Sequence, residues 1–518
     1  PRRRRPSLSP AGGGMGGSLL RGAGSARRRG RRAGGNAFQA ASISRLTHDW
    51  PTEPQLPDSL IFRSLRIMRA RSRAASRDEG LARRFLGLVK RNVVGDEGIR
   101  LQAQAADPDG KLDKLANDAI EQAWTDWCNP EHCDFRRELG WVSLQSLVMN
   151  HVARDGEMLL EEIYGADAGD YAYALKTWDP ELLDVERNDY RLAGGGYIKM
   201  GIEYDALDRR VAYHFIDRAR HSTSLLLGGY YSVSQHIRIP ADRIIHLYLK
   251  EEAEQSRGVP WMHSSLFRMR MVGAYEDSAV MKARAGASNF GVLTTPNGEA
   301  PPGDAEESDG EPIKDIEPLS IDILPEGHTF NTVDWGYPTG EFGPFVKAVL
   351  RHIAAGLEVS YNSLAQDMEG VSYSSIRQAV LDDRDVWKAL QAWLGLALCR
   401  RVYRSWLRWA ITAGKITVPN RDGKPRPLDI GRIAKYQRAR WQGRRWEWVD
   451  PLKDVMAHAK AVELNFTSVS EIIRQRGRDP QEVFKERAEE LQQMRELGIL
   501  TAPVPVSDEV LTNIAKEG

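Results

Sequence analysis

The chain has 518 residues, 42% of them apolar and 28% charged, which excludes a fibrous or wholly disordered protein and leaves room for more than one domain. No run of 18 apolar residues occurs, so no segment reads as a membrane-spanning helix. The net charge of +1 is unevenly spread: residues 1–48 hold eleven Arg and no acid, and the rest holds 61 basic against 71 acidic side chains, an excess that argues against a body built to grip nucleic acid.

Residues 1–48 are rich in Arg, Gly and Ser with almost no apolar periodicity, and are expected to be a disordered basic tail. The chain begins at Pro1 with Met15 inside the tract, so translated upstream sequence or processing is expected there; no apolar core of a secretory signal follows. Leu60–Arg77 and Gly80–Asn92 read as two Arg-dense helices, with Gly95 and Gly98 turning the chain into a strand. Leu115–Cys128 and Leu144–Ala153 are further helices. Residues 155–250 carry short β-branched and aromatic runs bounded by Gly, Asp and Pro, the texture of a mostly antiparallel sheet. His214 and His246 fall in apolar-aromatic strands without an evident partner and read as structural.

Pro260 opens a predicted helix over Trp261–Phe290, about 45 Å long at ~1.5 Å per residue. Residues 296–318 hold five Pro, three Gly and eight acids against one Lys, an exposed acidic loop or linker. Strands at Leu319–Ile323 and Thr329–Val333 flank a Pro325–Gly327 turn. Phe345, Val346, Val349, Leu350, Ile353, Ala354 and Leu357 give the next helix one apolar face. A polar break between Gly356 and Gly370 follows. Ile376, Val380, Trp387, Leu390, Leu394, Ala397 and Val402 then mark one helix over Ser375–Ile411, roughly 55 Å long. Beyond the Trp446–Asp454 block, Thr467 and Ser468 are cap residues for a helix carrying Ile472 and Ile473, and a charged helix at Pro480–Leu497 ends the fold. The chain holds fourteen Trp; Trp387, Trp393, Trp406, Trp409, Trp441, Trp446 and Trp448 are expected to be packing anchors.

The chemistry is sparse. Cys128, Cys133 and Cys399 form no disulfide framework, and Cys128, His132 and Cys133 lack a second ligand pair at zinc-finger spacing, so buried side chains account for them better. No phosphate-binding G-x-x-x-x-G-K-[ST] loop, H-E-x-x-H helix or G-x-S-x-G elbow is present. Asp382, Asp383 and Asp385 beside Arg384 read as charge pairs on a solvated or intersubunit helix face, in preference to a Mg²⁺ site. No catalytic residue, metal or cofactor is predicted. The competing reading is a nucleic-acid-processing enzyme or a DNA-binding adaptor that uses the basic tail.

Two blocks carry a resemblance. One is IAAGL-x-VSY-x-x-L, with Ala355, Gly356, Ser360 and Tyr361, followed by SYSS-x-R-x-A, with Ser372, Tyr373, Ser374 and Arg377. The other is WEWVDPLKD, with Trp448, Asp450, Pro451 and Lys453. Together they closely resemble the lambda-type portal proteins of tailed bacteriophages. The resemblance implies an α+β, mainly α, portal-type fold with wing, helical stem, clip and C-terminal helical crown, assembled as a homo-oligomeric ring, usually a dodecamer. It assigns residues 49–260 to the wing, 261–357 to the stem pair with the clip at 291–341, and 358–374 to a tunnel loop. Residues 375–450 become the long wing helix and its return, and 451–518 the crown. Arg270, Lys282, Arg284, Lys347 and Arg351 would lie on the stem, and Gln366, Asp367, Met368 and Glu369 would face double-stranded DNA. The implied role is a channel at the capsid vertex for DNA packaging and ejection. Its implied partners are the terminase large subunit, major capsid and scaffold proteins, and head-completion adaptors, met during assembly in the host cytoplasm and in the virion.

Overall fold

A computed structural model describes residues 41–217, 236–287, 291–294, 306–308, 311–313, 329–332, 340–370, 372–420, 422–446, 451–476 and 478–498; for 285–287, 291–294, 306–308, 311–313, 329–332, 373, 451–454 and 482 it describes the backbone alone. Residues 41–55 belong to a unit of their own, where the Thr47 hydroxyl donates to the Ser42 carbonyl at 2.8 Å. All that follows concerns the unit beginning at Leu56.

Helix α1 (Pro57–Asp78) starts on a proline, whose missing N–H costs nothing in a first turn. α2 (Gly80–Val89) runs into a π-helical turn at Lys90–Val94, so the helix predicted to Asn92 widens in its last turn. Strand β1 (Arg100–Ala103) follows, then α3 (Lys114–Trp127), capped by the Asp113 carboxylate, which accepts from Ala116 N–H at 3.1 Å. α4 (Pro130–Cys133) is one turn, and α5 (Trp141–Asp155) closes the helical start.

The expected antiparallel region is two sheets. In the first, β2 (Glu157–Tyr164) lies between β3 (Tyr173–Trp178) and β8 (Ile244–Tyr248), with Leu160 opposite Thr177 on one side and Ile245 on the other. The second is a meander of β4 (Tyr197–Lys199), β5 (Ile202–Tyr204), β6 (Arg210–Ile216) and β7 (His236–Pro240). β2 is buried along most of its length yet carries three acids, and each is matched. Glu157 takes Arg69 and Arg257 at 2.6 Å and His246 at 3.0 Å; Glu161 accepts from Trp178 Nε1, and Glu162 from Tyr173 and Arg401. Burial raises the Glu157 carboxyl, but Arg257, Arg69 and His246 outweigh it and hold the group well below the usual carboxylate range. Burial also drives the His246 imidazole down to about 4 against the pull of Glu157. The two histidines read as lacking partners therefore have acidic ones: Glu157 for His246 and, at 2.9 Å, Glu203 for His214. The partners sit on other strands, which is why the sequence hid them.

The helix predicted from Trp261 begins as a 3₁₀ turn (Trp261–Ser264) and becomes α6 only over Leu266–Ala287, with residues 288–290 outside the described set. β9 (Gly291–Thr294), absent from the sequence reading, pairs antiparallel with β12 (Thr329–Thr332). Within the stretch read as an exposed acidic loop or linker, β10 (Glu306–Ser308) pairs with β11 (Glu311–Ile313). Leu319–Ile323 and the Pro325–Gly327 turn lie outside the described residues. α7 (Phe342–Gly356) and the short α8 (Tyr361–Ala365) precede α9 (Tyr373–Leu394), which passes through a π turn (Gly395–Cys399) into α10 (Arg400–Thr412). The predicted single helix is thus continuous but locally unwound. Gly395 marks the place, since a Cβ there would lie 3.3 Å from Trp441 Cβ. Gln391, one turn earlier, ties the helix to the other π turn by donating to Asn92 O at 2.9 Å and to Arg444 O at 3.0 Å.

The chain then makes a hairpin of β13 (Thr417–Pro419) and β14 (Pro425–Pro427), a turn α11 (Ile433–Tyr436), and β15 (Ala439–Gln442), which pairs with β1 so that Trp441 faces Leu101. α12 (Pro451–Glu463), α13 (Val469–Gln475) and α14 (Pro480–Glu496) complete it; Ser468 caps α13 by accepting from Glu471 N–H, as its sequence predicted. One core joins α2, α3, α5, the first sheet, α7, α9 and α10. At its centre the Trp124 ring lies 4.9 Å from both Trp127 and Trp406 and 5.8 Å from Trp141 and Tyr403. Each such pair is worth about 0.5–1.5 kcal/mol beyond its buried area. Trp387 and Trp406 are buried and Trp393, Trp409, Trp441 and Trp446 half-buried, as packing anchors require; Trp448 lies outside the described residues.

Candidate functional site

The polar break between α7 and α9 is a small, tightly braced structure. Its foot is the turn into α8, where the Ser360 hydroxyl caps the helix by accepting from Ser363 N–H. Asp383, on α9 and only 8% exposed, accepts from Ser360 N–H at 2.8 Å, from Ser360 Oγ at 2.8 Å and from Ser363 Oγ at 2.6 Å. From the opposite side Arg84 of α2 donates through Nε (3.1 Å) and Nη2 (3.0 Å) to Ser363 O. Asp383 was expected to form a charge pair on an exposed face. It instead occupies the apolar register of α9, between Val380 and Trp387, where a carboxylate must find donors; Asp382 and Asp385 do pair outward, with Gln378 and Lys388.

The tip begins at Gln366, exposed with φ +56°, and continues to Gly370 with φ +66°. Asp367 turns inward. It accepts from Tyr361 OH at 2.7 Å and from Glu369 N–H at 2.9 Å, and meets Lys347 Nζ of α7 at 2.7 Å. The Lys347 bond, the Glu369 amide and the Tyr361 hydroxyl hold its carboxyl below the usual carboxylate range. Burial and the same Asp367 push the Tyr361 hydroxyl up to about 12. Lys347 and Arg351 lie over the Tyr361 ring at 5.8 and 5.6 Å. Of the four residues expected at the tip, Met368 is 58% exposed and Gln366 and Glu369 are exposed, whereas Asp367 is half-buried and committed to internal partners.

α6 and α7 meet at their ends nearest this loop. Ser264 Oγ donates to Gly356 O at 2.8 Å and Ser265 Oγ to Ile353 O at 3.1 Å. A Cβ at Gly356 would come within 2.5 Å of Ser265 Oγ, so a larger residue there must displace that hydroxyl. Farther along, Tyr275 stacks on Phe342 and meets Phe345 edge-on. Arg270 is exposed, 3.8 Å from Glu79 of the α1–α2 junction. Lys282 and Arg284 continue along α6, away from the loop in sequence. Thus Lys347 and Arg351 converge on the loop, whereas Arg270 is turned to Glu79. Ala355 is exposed, and Arg377 is half-buried on α9. Ser372 caps α9 by accepting from Ser375 N–H and bonds Ser374 Oγ at 3.1 Å; Tyr373 opens that helix. Pro451 and Lys453 begin α12, while Trp448 and Asp450 lie outside the described residues.

Among the described residues no group of three or more His, Cys, Asp or Glu is placed to hold a metal ion, and no helix is long and apolar enough to cross a membrane. Cys133 Sγ donates to the carbonyls of Cys128 and Leu139, and burial with the neighbouring Asp134 pushes its thiol up to about 12. The family model described as "Phage portal protein, lambda family" matches residues 44–391, a span that includes the helix pair, the loop and its Asp383 brace.

The chain belongs to the lambda family of phage portal proteins.

A probable portal protein of Halomonas phage phiHAP-1 is 31% identical over 468 residues, covering 89% of this chain and 87% of that one. The portal protein of Escherichia phage N15 is 20% identical over 409 residues, 73% and 74% of the two chains. A solved chain from the neck of an empty GTA particle has 13% identity and a TM-score of 0.43, over 79% of this chain and 93% of that one. Sequence reasoning placed the loop and its two helices correctly but missed Asp383, Arg84 and Ser363. Its one available signal for the brace was an acid falling where the helical period calls for an apolar residue.

Proposed function

We propose that this portal protein forms a closed ring whose channel passes double-stranded DNA during packaging and ejection, with residues 358–374 as the constriction. The observation that carries the constriction is the braced loop itself. Asp383 and Arg84 fix its foot and Lys347 holds Asp367 inward, so that Gln366, Met368 and Glu369 are the exposed side chains at its tip. Such a tip offers duplex DNA an amide, a thioether and a carboxylate, without the guanidinium fork that reads guanine. Contacts of that kind are weak and repeated, and favour sliding over capture.

In the same reading α6 and α7 form the stem, residues 291–341 the clip, residues 49–260 and 375–450 the wing, and 451–518 the crown. The ring sits at the capsid vertex of the virion and is assembled in the host cytoplasm. It nucleates the procapsid with capsid and scaffold proteins, docks the packaging ATPase, and later accepts head-completion proteins. Hydrolysis belongs to the ATPase, and this chain is non-catalytic.

Sizing and negative-stain imaging of the purified chain test the ring. Annuli of roughly 0.6–0.8 MDa, about ten to fourteen copies under closed cyclic symmetry, are expected. A stable monomer with Mg²⁺-dependent nuclease activity would instead favour the processing-enzyme reading. Deleting residues 364–371 should leave annuli intact while reducing DNA packaging or retention; normal yields of filled particles would remove the loop from the channel.

A further inference from the structure

The acidic balance of the folded body conceals a segment of the opposite sign. Residues 400–446 contain fourteen Arg or Lys and two Asp, whereas residues 49–399 and 447–518 together contain 47 basic and 69 acidic side chains. Some of these cations are structural. Arg401 is bound to Glu162, Lys415 to Asp170, Lys435 to Asp107 and Asp113, and Arg444 donates to Arg91 O. Arg400, Arg404 and Arg408 are different. All three are exposed, and none has a side-chain hydrogen bond or ion pair among the described residues.

Their spacing gives them a direction. Four-residue steps keep the three on one face of α10, rising about 6 Å per step along the axis. One strand of a duplex advances roughly 3.4 Å per nucleotide, so a helix laid along it presents a guanidinium at about every second phosphate. Beside Arg404 and Arg408 lies a groove completed by Ser405, Trp409, Gln437 and Tyr164. Its lining includes the stacked Tyr164–Trp409 pair, ring centroids 5.4 Å apart, together with a hydroxyl from Ser405 and an amide from Gln437. The next residue, Arg438, is also exposed.

A protein-docking surface would need an apolar centre inside a polar rim. The exposed large apolar side chains flanking this face in sequence are Leu396, one turn before Arg400, and Ile430. Two flanking aliphatic side chains are a small apolar complement beside three planar, unpaired arginines with hydrogen-bonding neighbours, a balance that fits a phosphate backbone better than a protein core. We infer that the α10 face, centred on Arg400, Arg404 and Arg408, is a sequence-independent site for the backbone of double-stranded DNA, separate from the channel loop. The chain thus places a run of unpaired arginines on α10 and leaves its loop tip without one.

The test is fluorescence anisotropy of a labelled duplex of about 30 base pairs with the full-length assembled protein, titrated across roughly 50–200 mM salt. The triple variant R400A/R404A/R408A should lower the slope of log K against log salt by about 2–3 and weaken binding about 100-fold near 0.1 M salt. The same charge removed from α1 and α2, in R63A/R71A/R83A, should leave the slope unchanged. Should the triple variant fail to assemble, R408A alone should lose about 0.9 of slope, and R404K/R408K should keep it. An unchanged slope in the α10 variants overturns the site. So does an equal loss in the control, which would mark diffuse charge, or binding of polyglutamate but not duplex, which would make the face a protein dock. Because ring sizing and loop deletion do not involve α10, failure here is distinguishable from failure of the channel reading.

Discussion

Replacing Asp383 by Ala should free the loop between α7 and α9 while leaving the rest of the fold intact. The carboxylate accepts three hydrogen bonds, from Ser360 N–H and the hydroxyls of Ser360 and Ser363, at 2.6–2.8 Å. Bonds to a charged acceptor contribute about 1.5–3 kcal/mol each, but they do not add. After the substitution the two hydroxyls still bond one another at 2.8 Å, and both serines are half-buried, so water reaches the remaining donors. A net loss of about 3 kcal/mol is the reasonable sum. Confined to the loop, that loss corresponds to local opening about 150-fold more frequent. Amide hydrogen exchange read by mass spectrometry should therefore show peptides covering residues 358–366 exchanging about a hundredfold faster. Peptides from α5 and α10, deep in the shared core, should not change. D383N, which keeps shape and one acceptor, should fall between. Exchange in the loop within threefold of the parent protein would refute the claim that Asp383 is its brace.

Three further outcomes follow from the same geometry. G356A should destabilise the α6–α7 junction by about 1–2 kcal/mol in a thermal melt, and S265A should relieve part of that loss in the double variant, because the clash is with Ser265 Oγ. Stability measured by denaturant titration should fall as pH drops from about 6.5 toward 4, because the unfolded His246 binds a proton that the folded one, held near 4, refuses. H246Q should flatten that limb; below it, Asp155 and Glu157, both depressed in the fold, lose their contribution as pH falls beneath the unfolded carboxylate range near about 4. Native protein at pH 8 should take up no thiol reagent at Cys133 or Cys399, both buried, and all three cysteines should react after unfolding.

Helices were the legible part of this chain. Their apolar periods and caps follow local rules, so α1, α3, α7, α13 and α14 fall within a few residues of expectation. What depended on partners distant in sequence was not legible. His246 reads as an isolated ring until β2 brings Glu157 beside it, 89 residues away. Asp383 reads as a surface acid until the loop folds back on α9. The small residue at Gly395 is explained only by Trp441, which arrives on β15 after the helix has ended. β9 escaped notice because a four-residue strand carries too little pattern to stand above its Gly- and Pro-rich surroundings. The basic α10 face was obscured by averaging charge over the whole body, when the informative quantity is charge per element.

The pairing of β1 with β15 also governs when this protein can finish folding. Leu101 must wait for Trp441, made 340 residues later, which at ribosomal speeds of about 5–20 residues per second is roughly 20–70 s. Until then β1 presents an open edge, and Trp124 lacks the Trp406 and Trp441 rings that enclose it. A chain truncated just before β15 keeps the open edge permanently and leaves Trp124 without the Trp441 ring. Completion of the core is therefore a built-in check that synthesis has reached β15, passed only after the turn linking α10 to β15 has been made.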